Sequence, residues 1–238
     1  MKAVILAAGK GTRMKDITKT IPKPLVLING KPMLEHIIGF IKDAGITDFG
    51  IVVGYKQSMV TDYFKDGASL GISITYIEQK EQNGTGAALH LAQKFVNDAP
   101  FFFSFGDVIT PKENYSGMLK YYKNKTCDVL LGLNYVDDPY RGAAVYLDNH
   151  NDIIRMVEKP PRGASTTNLN NAGLMIFKPD IFDYTGRLKL SVRGEYELTD
   201  VFSMIRKDGR TIKGYVLSGF WKDVGTPQDI DVINAIIK

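Results

Sequence analysis

Residues 2–13 read Lys-Ala-Val-Ile-Leu-Ala-Ala-Gly-Lys-Gly-Thr-Arg, a short apolar run that passes directly into a glycine-rich loop. Such an uninterrupted apolar run is typical of a strand that is buried on both faces of a parallel sheet. The loop after such a strand lies at the carboxyl edge of the sheet, where free backbone N–H groups can approach an anion. The stretch therefore predicts the first strand of an α/β sheet, followed by a phosphate-binding loop.

Three further apolar runs, at residues 48–54, 72–78 and 101–105, predict neighbouring strands that are equally buried. Between them, apolar residues recur at helical spacing after Pro32 and through residues 85–96. Strands that alternate with helices in this way form a doubly wound, Rossmann-like α/β fold, since each crossover helix covers one face of a mostly parallel sheet.

The pattern changes after Cys127 to strands that are joined by turns. The run Asp-Asn-His-Asn-Asp at 148–152 is a strong turn signal between predicted strands at 143–147 and 153–158. Predicted strands at 171–177 and 211–217, with helices near 198–206 and from Pro227, return the chain to a mixed α/β pattern. We therefore expect an inserted antiparallel layer within one domain that spans residues 1–238, because no long linker or repeat divides the chain.

Composition limits the classes of partner. The chain has 238 residues, of which 44% are hydrophobic, so it is long enough to build a substantial core. Its 30 basic and 26 acidic residues are spread along the sequence, which gives a net charge of +4 without the clustered cationic face that nucleic acid binding needs. The first apolar segment is too short to span a membrane and precedes no cleavage site. We expect neither nucleic acid nor a membrane as a partner, whereas anionic small molecules fit the charge.

Cys127 is the single cysteine of the chain, so an intramolecular disulfide is excluded. It lies just before an apolar run that ends at Leu131, which favours a buried and inert thiol. This composition agrees with a reducing cytoplasm.

The glycine-rich loop does not match two common phosphate-binding motifs. A dinucleotide fingerprint has a third glycine where this loop has Met14, and a P-loop has four residues between its first glycine and Gly-Lys-Ser/Thr. The small residues still allow backbone N–H groups to approach a triphosphate, whose charge Lys10 and Arg13 can neutralise. On the loop alone, a plain glycine-rich turn is an equal alternative.

Two more charged residues lie at informative places. Lys23 stands between Pro22 and Pro24, which stiffen the backbone on both sides of it. Asp107 follows the apolar run 101–105, so it is predicted to project from the carboxyl edge of the sheet, where ligands bind in this architecture. Taken alone, Lys23 also fits a solvated loop lysine, and Asp107 also fits a cap or turn residue.

These segments, in this order, resemble the sugar-1-phosphate nucleotidylyltransferases, a family that includes glucose-1-phosphate thymidylyl- and uridylyltransferases. The resemblance extends over nearly the whole chain. Its further segments read QKEQNGTG at 79–86, FGD at 105–107, EKP at 158–160, NAG at 171–173, RGEYELTD at 193–200 and WKDVGTP at 221–227. One departure is Val108, because many relatives have asparagine directly after the aspartate that corresponds to Asp107.

The resemblance implies transfer of a nucleotidyl group from a nucleoside triphosphate to a sugar 1-phosphate, with Mg²⁺ as cofactor. Glucose 1-phosphate or a similar hexose is the implied acceptor, and the products are a nucleotide sugar and pyrophosphate. Residues 1–125 would form mainly the nucleotide-binding half, and residues 126–238 mainly the sugar-phosphate-binding half with the inserted antiparallel layer. UTP or dTTP is favoured, because the Gln79 amide offers a donor and an acceptor to the N3–H and carbonyl of uracil or thymine.

The same resemblance assigns the site residues. The nucleotide would be bound by Leu6, Ala8, Gly9, Gly11, Thr12, Arg13, Lys23, Gln79, Gly84 and Thr85. The sugar phosphate would be bound by Gly142, Glu158, Lys159, Asn171 and Arg193. Arg13, Lys23 and Asp107 would be catalytic, and Asp107 and Asp223 would hold the metal, since Mg²⁺ commonly takes one or two carboxylates together with phosphate oxygens. Without the resemblance, Asp223 and Asn171 fit turn residues and Glu158 fits a surface carboxylate.

Two rival functions remain at this point. A cytidylyltransferase that acts on a small alcohol phosphate such as phosphocholine would use the same loop and aspartates. A non-catalytic regulatory homologue could keep the fold without the activity. No hexapeptide repeat follows Pro227, so the left-handed β-helix that some relatives carry, and its second activity, are not expected. The sequence is compatible with a homo-oligomer.

Overall fold

The computed structural model describes residues 1–237. Its strands are β1 (Lys2–Leu6), β2 (Leu27–Ile28), β3 (Lys31–Pro32), β4 (Asp48–Val53), β5 (Ser73–Glu78), β6 (Phe101–Phe105), β7 (Val108–Ile109), β8 (Val129–Tyr135), β9 (Ala143–Leu147), β10 (Ile153–Glu158), β11 (Leu169–Phe177), β12 (Ile212–Val216) and β13 (Lys222–Asp223). Its helices are α1 (Ile17–Thr20), α2 (Met33–Asp43), α3 (Gln57–Phe64), α4 (Thr85–His90), α5 (Gln93–Val96), α6 (Glu113–Asn124), α7 (Ile181–Thr185), α8 (Leu198–Lys207) and α9 (Pro227–Ile236).

The first half of the chain forms the predicted parallel sheet. Strand β1 lies between β4 and β6, and β5 continues the sheet beyond β4, all in parallel register. In β1 the residue Ile5 is level with Ile51 of β4 and Ser104 of β6. The doubly wound α/β class is therefore confirmed. The prediction that all four strands are fully buried is wrong for β5, which lies at the sheet edge and exposes Ser73.

The strands of the second half extend the same sheet. Strand β11 pairs antiparallel with β6, and β8 and β9 each pair antiparallel with β11. Strand β10 adds to β9, and β12 pairs parallel with β8, which gives nine strands in one mixed sheet. The antiparallel strands are thus inserted as predicted, but they continue the central sheet instead of stacking on it as a separate layer. Backbone hydrogen bonds at the edge of β6 explain this, because β11 completes them.

Side chains alternate between two hydrophobic clusters, one on each face of the sheet. Ala3 and Ile5 belong to the cluster under α2 and α6, whereas Val4 belongs to the cluster under α4 and α8. Because neighbouring residues of a strand point to opposite faces, an uninterrupted apolar run is required to fill both clusters. This is why the run at residues 2–6 predicted a central strand.

The helix predicted over residues 85–96 is two short helices. The N–H of Ala92 donates to the carbonyl of Leu89, which tightens the chain by one residue and ends the regular ladder between α4 and α5. Leu91 is exposed at this break. Apolar residues do recur at helical spacing on both sides of the break. That spacing does not show that the helical hydrogen bonds are interrupted between α4 and α5.

The burial of Cys127 and the length of the helices can be compared with the predictions from the sequence. Cys127 is buried, as predicted, and burial raises the pKa of its thiol to about 11. Such a thiol stays protonated and inert at neutral pH. Within residues 1–237, no helix is both long and apolar enough to cross a membrane.

The Tyr115 hydroxyl provides a test of the core. Tyr115 is fully buried against the rings of Phe40 and Phe102, and no described residue accepts or donates a hydrogen bond at its hydroxyl. Tyr115→Phe removes an unpaired polar group, so the free energy of unfolding should stay unchanged or rise by about 1 kcal/mol. The control Tyr115→Ala should lose about 3–5 kcal/mol. Urea unfolding at neutral pH measures both, and a loss above about 1 kcal/mol in Tyr115→Phe would reveal a partner for the hydroxyl.

The same variant carries a pH signature. Burial raises the pKa of Tyr115 above the ordinary 10.0 of tyrosine. The folded state then keeps a proton that the unfolded chain releases, so the wild type loses stability as the pH rises above about 10. Because phenylalanine has no such proton, the stability advantage of Tyr115→Phe should widen between about pH 9 and 11 in urea unfolding. A constant difference would contradict burial of the hydroxyl.

Candidate active site

A cleft of about 1280 Å³ runs along the carboxyl edge of the parallel strands. It is lined by the following residues that the sequence singled out: Leu6, Ala8, Gly9, Arg13, Lys23, Gln79, Gly84, Thr85, Asp107, Gly142, Glu158, Lys159, Asn171, Arg193 and Asp223. Gly11 and Thr12, which were also predicted to bind the nucleotide, are not among the lining residues. Residues from both halves of the chain therefore meet at one cleft.

The glycine-rich loop packs against the segment that carries Lys23. Gly11 has φ 64°, in the left-handed region, and a Cβ atom there would lie 3.0 Å from the Cβ of Lys23. The hydroxyl of Thr18 donates to the Gly11 carbonyl at 3.0 Å. Gly11 therefore serves the packing of the loop rather than the cleft surface, and alanine would strain it in both conformation and space.

Lys23 lies between two carboxylates. Its Nζ donates to Oδ2 of Asp107 at 2.5 Å and lies 3.8 Å from Oδ1 of Asp223. Only 11% of the Lys23 side chain is exposed. The alternative of a solvated loop lysine is therefore wrong, and the two prolines beside Lys23 hold a buried cation.

Asp107 and Asp223 come together through backbone pairing. Strand β7 begins directly after Asp107 and pairs antiparallel with β13, in which Asp223 is opposite Val108. The N–H of Val224 donates to the Asp107 carbonyl at 2.9 Å. Val108, which replaces the asparagine of many relatives, is buried at this pairing and fixes the distance between the two aspartates. Asp223 is therefore not an independent turn residue.

Arg13 completes the charged cluster. Its guanidinium lies 3.3 Å from Oδ2 of Asp223. A Cβ atom on Gly225 would lie 2.7 Å from the guanidinium carbon, so a side chain there would displace the exposed Arg13 guanidinium from this position. Two cations and two carboxylates thus share one end of the cleft.

The electrostatics of Asp223 suit a hard cation. Burial raises the pKa of its carboxyl, and the neighbouring Asp107 raises it further, while Lys23 and Arg13 oppose both effects. Its Oδ1 is buried and accepts no hydrogen bond from residues 1–237. These residues contain no group of three or more His, Cys, Asp or Glu side chains that could hold a metal ion. A divalent cation at the pair would therefore need oxygen ligands from a bound phosphate or water.

A second polar wall lies around Gln79. The Gln79 side chain is buried, and its Nε2 lies 3.4 Å from the Gly84 carbonyl. Gly84 has φ 120°, and a Cβ atom there would lie 2.5 Å from the carbonyl oxygen of Tyr196. Gln82, which the sequence analysis did not assign, donates from Nε2 to the Ala8 carbonyl at 2.9 Å and joins this wall to the glycine-rich loop.

The residues predicted to bind the sugar lie in a row across the inserted strands. Glu158 of β10 is opposite Ala143 of β9, and Ala144 is opposite Asn170, the neighbour of Asn171 in β11. Burial raises the pKa of the Glu158 carboxyl. The side-chain oxygen of Asn171 accepts the N–H of Gly173 at 2.9 Å, which directs its amide group.

Gly142 and Lys159 close this row through a backbone bond. The N–H of Lys159 donates to the Gly142 carbonyl at 2.7 Å. A Cβ atom on Gly142 would lie 2.1 Å from Oδ1 of Asn170, so the close approach requires glycine. Lys159 has φ 41°, a backbone conformation that non-glycine residues rarely adopt. Rare conformations are retained mostly where function uses them.

Arg193 is surrounded by carboxylates. Oε1 of Glu197 accepts from its Nε at 2.9 Å and from its NH2 at 2.5 Å, while Glu158 and Glu195 each lie 3.9 Å away. Glu197 was not assigned from the sequence, although its place four residues after Arg193 was visible there. The i, i+4 spacing suggests an ion pair only if the segment is helical, and this segment precedes α8.

Residues 2–238 match the sequence profile of the family described as nucleotidyl transferase. A nucleotidyltransferase of low-salt glycan biosynthesis from Haloferax volcanii is 34% identical over 238 residues, which is 100% of this chain and 66% of that protein. The UTP–glucose-1-phosphate uridylyltransferase AglF of the same organism is 33% identical over 233 residues, 97% of this chain and 94% of AglF. Of two further curated relatives, this chain spans only a little over half of the length, 56% and 53%.

A solved structure has the same fold. The crystal structure of a Bacillus anthracis protein, assigned as a glucose-1-phosphate thymidylyltransferase and complexed with a sucrose, has a TM-score of 0.89 and 31% identity. The alignment covers 99% of this chain and 94% of that chain. The two chains therefore share one fold over almost their whole length.

The ion pairs of Lys23 predict that a second substitution can offset the loss of stability caused by a first one. Lys23→Met should lower the free energy of unfolding by about 1–3 kcal/mol, because it leaves Asp107 and Asp223 without their shared cation. Adding Asp107→Asn removes the repulsion and should recover most of that loss, although Asp107→Asn alone should be destabilising because it removes the hydrogen-bonded partner of Lys23. Urea unfolding of the wild type, both single variants and the double variant, in the presence of a chelator, measures the coupling. A double variant less stable than Lys23→Met would contradict this account.

Proposed function

The chain belongs to the nucleotidyl transferase family, and we propose that it transfers a nucleotidyl group from a nucleoside triphosphate to a sugar 1-phosphate. The products are a nucleotide sugar and pyrophosphate. One observation carries the proposal: a single cleft is lined both by the paired aspartates with Lys23 and by the row of Glu158 and Asn171. Such a cleft suits two anionic substrates that must lie end to end.

In the proposed reaction, an oxygen of the sugar 1-phosphate attacks the α-phosphorus of the nucleotide. The bond from that phosphorus to the β-phosphate oxygen breaks, and pyrophosphate leaves with the electron pair. The attacking oxygen is already ionised at neutral pH, so no side chain has to remove a proton. The protein therefore acts by holding two mutually repelling anions in line and by neutralising the charge on the transferred group.

The side chains divide this work by position. Lys23 and Arg13 lie beside the glycine-rich loop, so they would bind the triphosphate and offset the charge of the leaving pyrophosphate. Lys159 and Arg193 would bind the phosphate of the sugar. Glu158, whose pKa burial raises, and the directed amide of Asn171 would bind sugar hydroxyls.

Asp107 and Asp223 would hold Mg²⁺, and the unpaired buried Oδ1 of Asp223 fits that use. When bound there, Mg²⁺ would supply positive charge that offsets the negative charge of the transferred phosphoryl group. In the free protein, Lys23 and Arg13 neutralise the two carboxylates. A triphosphate gives both cations new partners, which leaves the carboxylates to a divalent ion.

The base is proposed to be uracil or thymine. A buried Gln79 can donate to a carbonyl and accept from N3–H, whereas cytosine presents the opposite order. Rotation of the amide would weaken this discrimination between bases. The backbone groups of the turn at Gly84 cannot rotate, so they would preserve it. The name of the relative AglF, a UTP–glucose-1-phosphate uridylyltransferase, supports UTP with glucose 1-phosphate.

A substrate matrix tests the proposal. UTP, dTTP, CTP, ATP and GTP are each combined with several hexose 1-phosphates and with phosphocholine, and pyrophosphate release is measured with and without Mg²⁺. We expect release that depends on Mg²⁺ and on a sugar 1-phosphate. Release with CTP and phosphocholine alone would make the protein a cytidylyltransferase of a small alcohol phosphate. No release in any combination would indicate a non-catalytic homologue.

The aspartates provide a second test. Asp107→Asn and Asp223→Asn should each lower kcat by on the order of a hundredfold or more, because each loses one of the two charges proposed to hold the metal. Asp62→Asn, the same change at an exposed position on α3, should leave kcat within about twofold. Steady-state kinetics with Mg²⁺ are the measurement. Nearly full activity of Asp107→Asn would remove this residue from the metal site.

The base preference is a third test. At saturating glucose 1-phosphate, kcat/KM for UTP or dTTP should exceed that for CTP by about tenfold, since a buried donor or acceptor without a partner costs roughly 1–3 kcal/mol. GTP should be poorer than a pyrimidine nucleotide, because its base is larger. Gln79→Ala should reduce the ratio of UTP to CTP. A clear preference for CTP or GTP in the wild type would contradict the role of Gln79.

A further inference from the structure

Glu197 is the most buried of the three carboxylates that surround Arg193. Only 8% of its side chain is exposed, against 49% for Glu195 and 28% for Glu158. Its Oε1 accepts two hydrogen bonds from Arg193 and a third from the hydroxyl of Ser191 at 3.2 Å. Glu195 and Glu158, at 3.9 Å, are outside hydrogen-bond distance of the same guanidinium.

The two outer carboxylates are competitors for Arg193. If Glu197 did not hold the guanidinium, the arginine could pair with Glu158 or Glu195 instead of facing the cleft. A bond to both Nε and NH2 fixes the plane of the guanidinium and leaves its other edge free for a second anion. Glu197 therefore selects one orientation of Arg193 among several that the local charges allow.

The backbone on each side of Glu197 is bonded to the turn that follows Gln79. The N–H of Tyr196 donates to the Asn83 carbonyl, and the N–H of Gly86 donates to the Tyr196 carbonyl, both at 2.8 Å. The N–H of Leu198 donates to the hydroxyl of Thr85 at 3.2 Å. The position of Glu197 is thus set by the turn 83–86, which belongs to the proposed nucleotide-binding half.

We propose that Glu197 is a positioning residue for the sugar 1-phosphate, which orients Arg193 toward the phosphate and ties that orientation to the turn 83–86. The proposal rests on the proposed function, since it assumes that Arg193 binds the sugar phosphate. It adds a residue that lines the same cleft and acts through Arg193. It also predicts that a substitution in the turn 83–86 changes the KM for the sugar 1-phosphate.

The test is a double-mutant cycle between Glu197 and Arg193. Arg193→Ala should raise the KM for the sugar 1-phosphate by about tenfold or more. Glu197→Ala should raise the same KM by a comparable factor and leave the KM for the nucleotide within about twofold. The double variant should be no worse than Arg193→Ala, because Glu197 acts only through that arginine.

Two further variants separate positioning from general damage. Glu197→Gln keeps the accepting oxygen and should restore most of the affinity that Glu197→Ala loses. Glu195→Ala removes a carboxylate from the same loop that is not hydrogen-bonded to Arg193, and it should change the KM by less than about twofold. Thermal unfolding of each variant shows whether it is folded, and Gly86→Ala, which leaves the Glu197 side chain in place, keeps the test valid if Glu197→Ala unfolds.

The link to the turn is tested at Gly86. A Cβ atom there would lie 2.3 Å from Cδ1 of Leu188 and 3.0 Å from the Tyr196 carbonyl oxygen. Gly86→Ala should therefore displace the segment before Glu197 and raise the KM for the sugar 1-phosphate severalfold in a folded protein. An unchanged KM would overturn the tie between the turn and Arg193.

The possible failures are distinguishable. If Arg193→Ala leaves the KM for the sugar 1-phosphate unchanged, the proposed role of Arg193 fails and the inference fails with it. If Arg193→Ala raises this KM but a folded Glu197→Ala does not, or if the effects of the two sites multiply in the double variant, only the inference fails.

Discussion

The site depends on the ion pairing of Lys23 with two aspartates that lie far from it in sequence. Asp107 and Asp223 can remain close and partly buried only because Lys23, with Arg13, neutralises their charge. The prolines around Lys23 hold the ammonium in place, and the pairing of β7 with β13 holds the carboxylates. The absence of a side chain at Gly225 admits Arg13. Several separate sequence features thus serve one cluster of charges.

The sheet brings the second group of residues to that cluster. Strand β11 completes the hydrogen bonds of β6 and runs in the opposite direction, so its beginning lies at the carboxyl edge of the parallel strands. Asn171 and, through β9 and β10, Glu158 therefore reach the same cleft as Asp107. The turn 83–86 is bonded to the backbone beside Glu197, so it joins the segment after Gln79 to the segment that carries Arg193.

Much of the site could be predicted from the sequence, because its residues stand in short segments that resemble a known family in a fixed order. The predicted positions of Lys23, Asp107 and Asn171 all line the cleft. Gln82 and Glu197 were not assigned, although both stand in recognised segments. Their contacts are with the Ala8 carbonyl and Arg193, and a spacing along the chain does not reveal such contacts. Val108 was noted only as a departure from many relatives, and the sequence did not show that its backbone pairs with Asp223.

The sequence by itself determined the doubly wound class, since only a strand covered on both faces requires an uninterrupted apolar run such as residues 2–6. It also indicated which short segments line the cleft. Only the tertiary structure decided that the inserted strands join the central sheet, that residues 85–96 form two helices, and that Lys23 is buried between carboxylates. These outcomes depend on hydrogen bonds and ion pairs between residues that are distant in the chain. The periodicity of a sequence shows only which side of a strand or helix a residue faces.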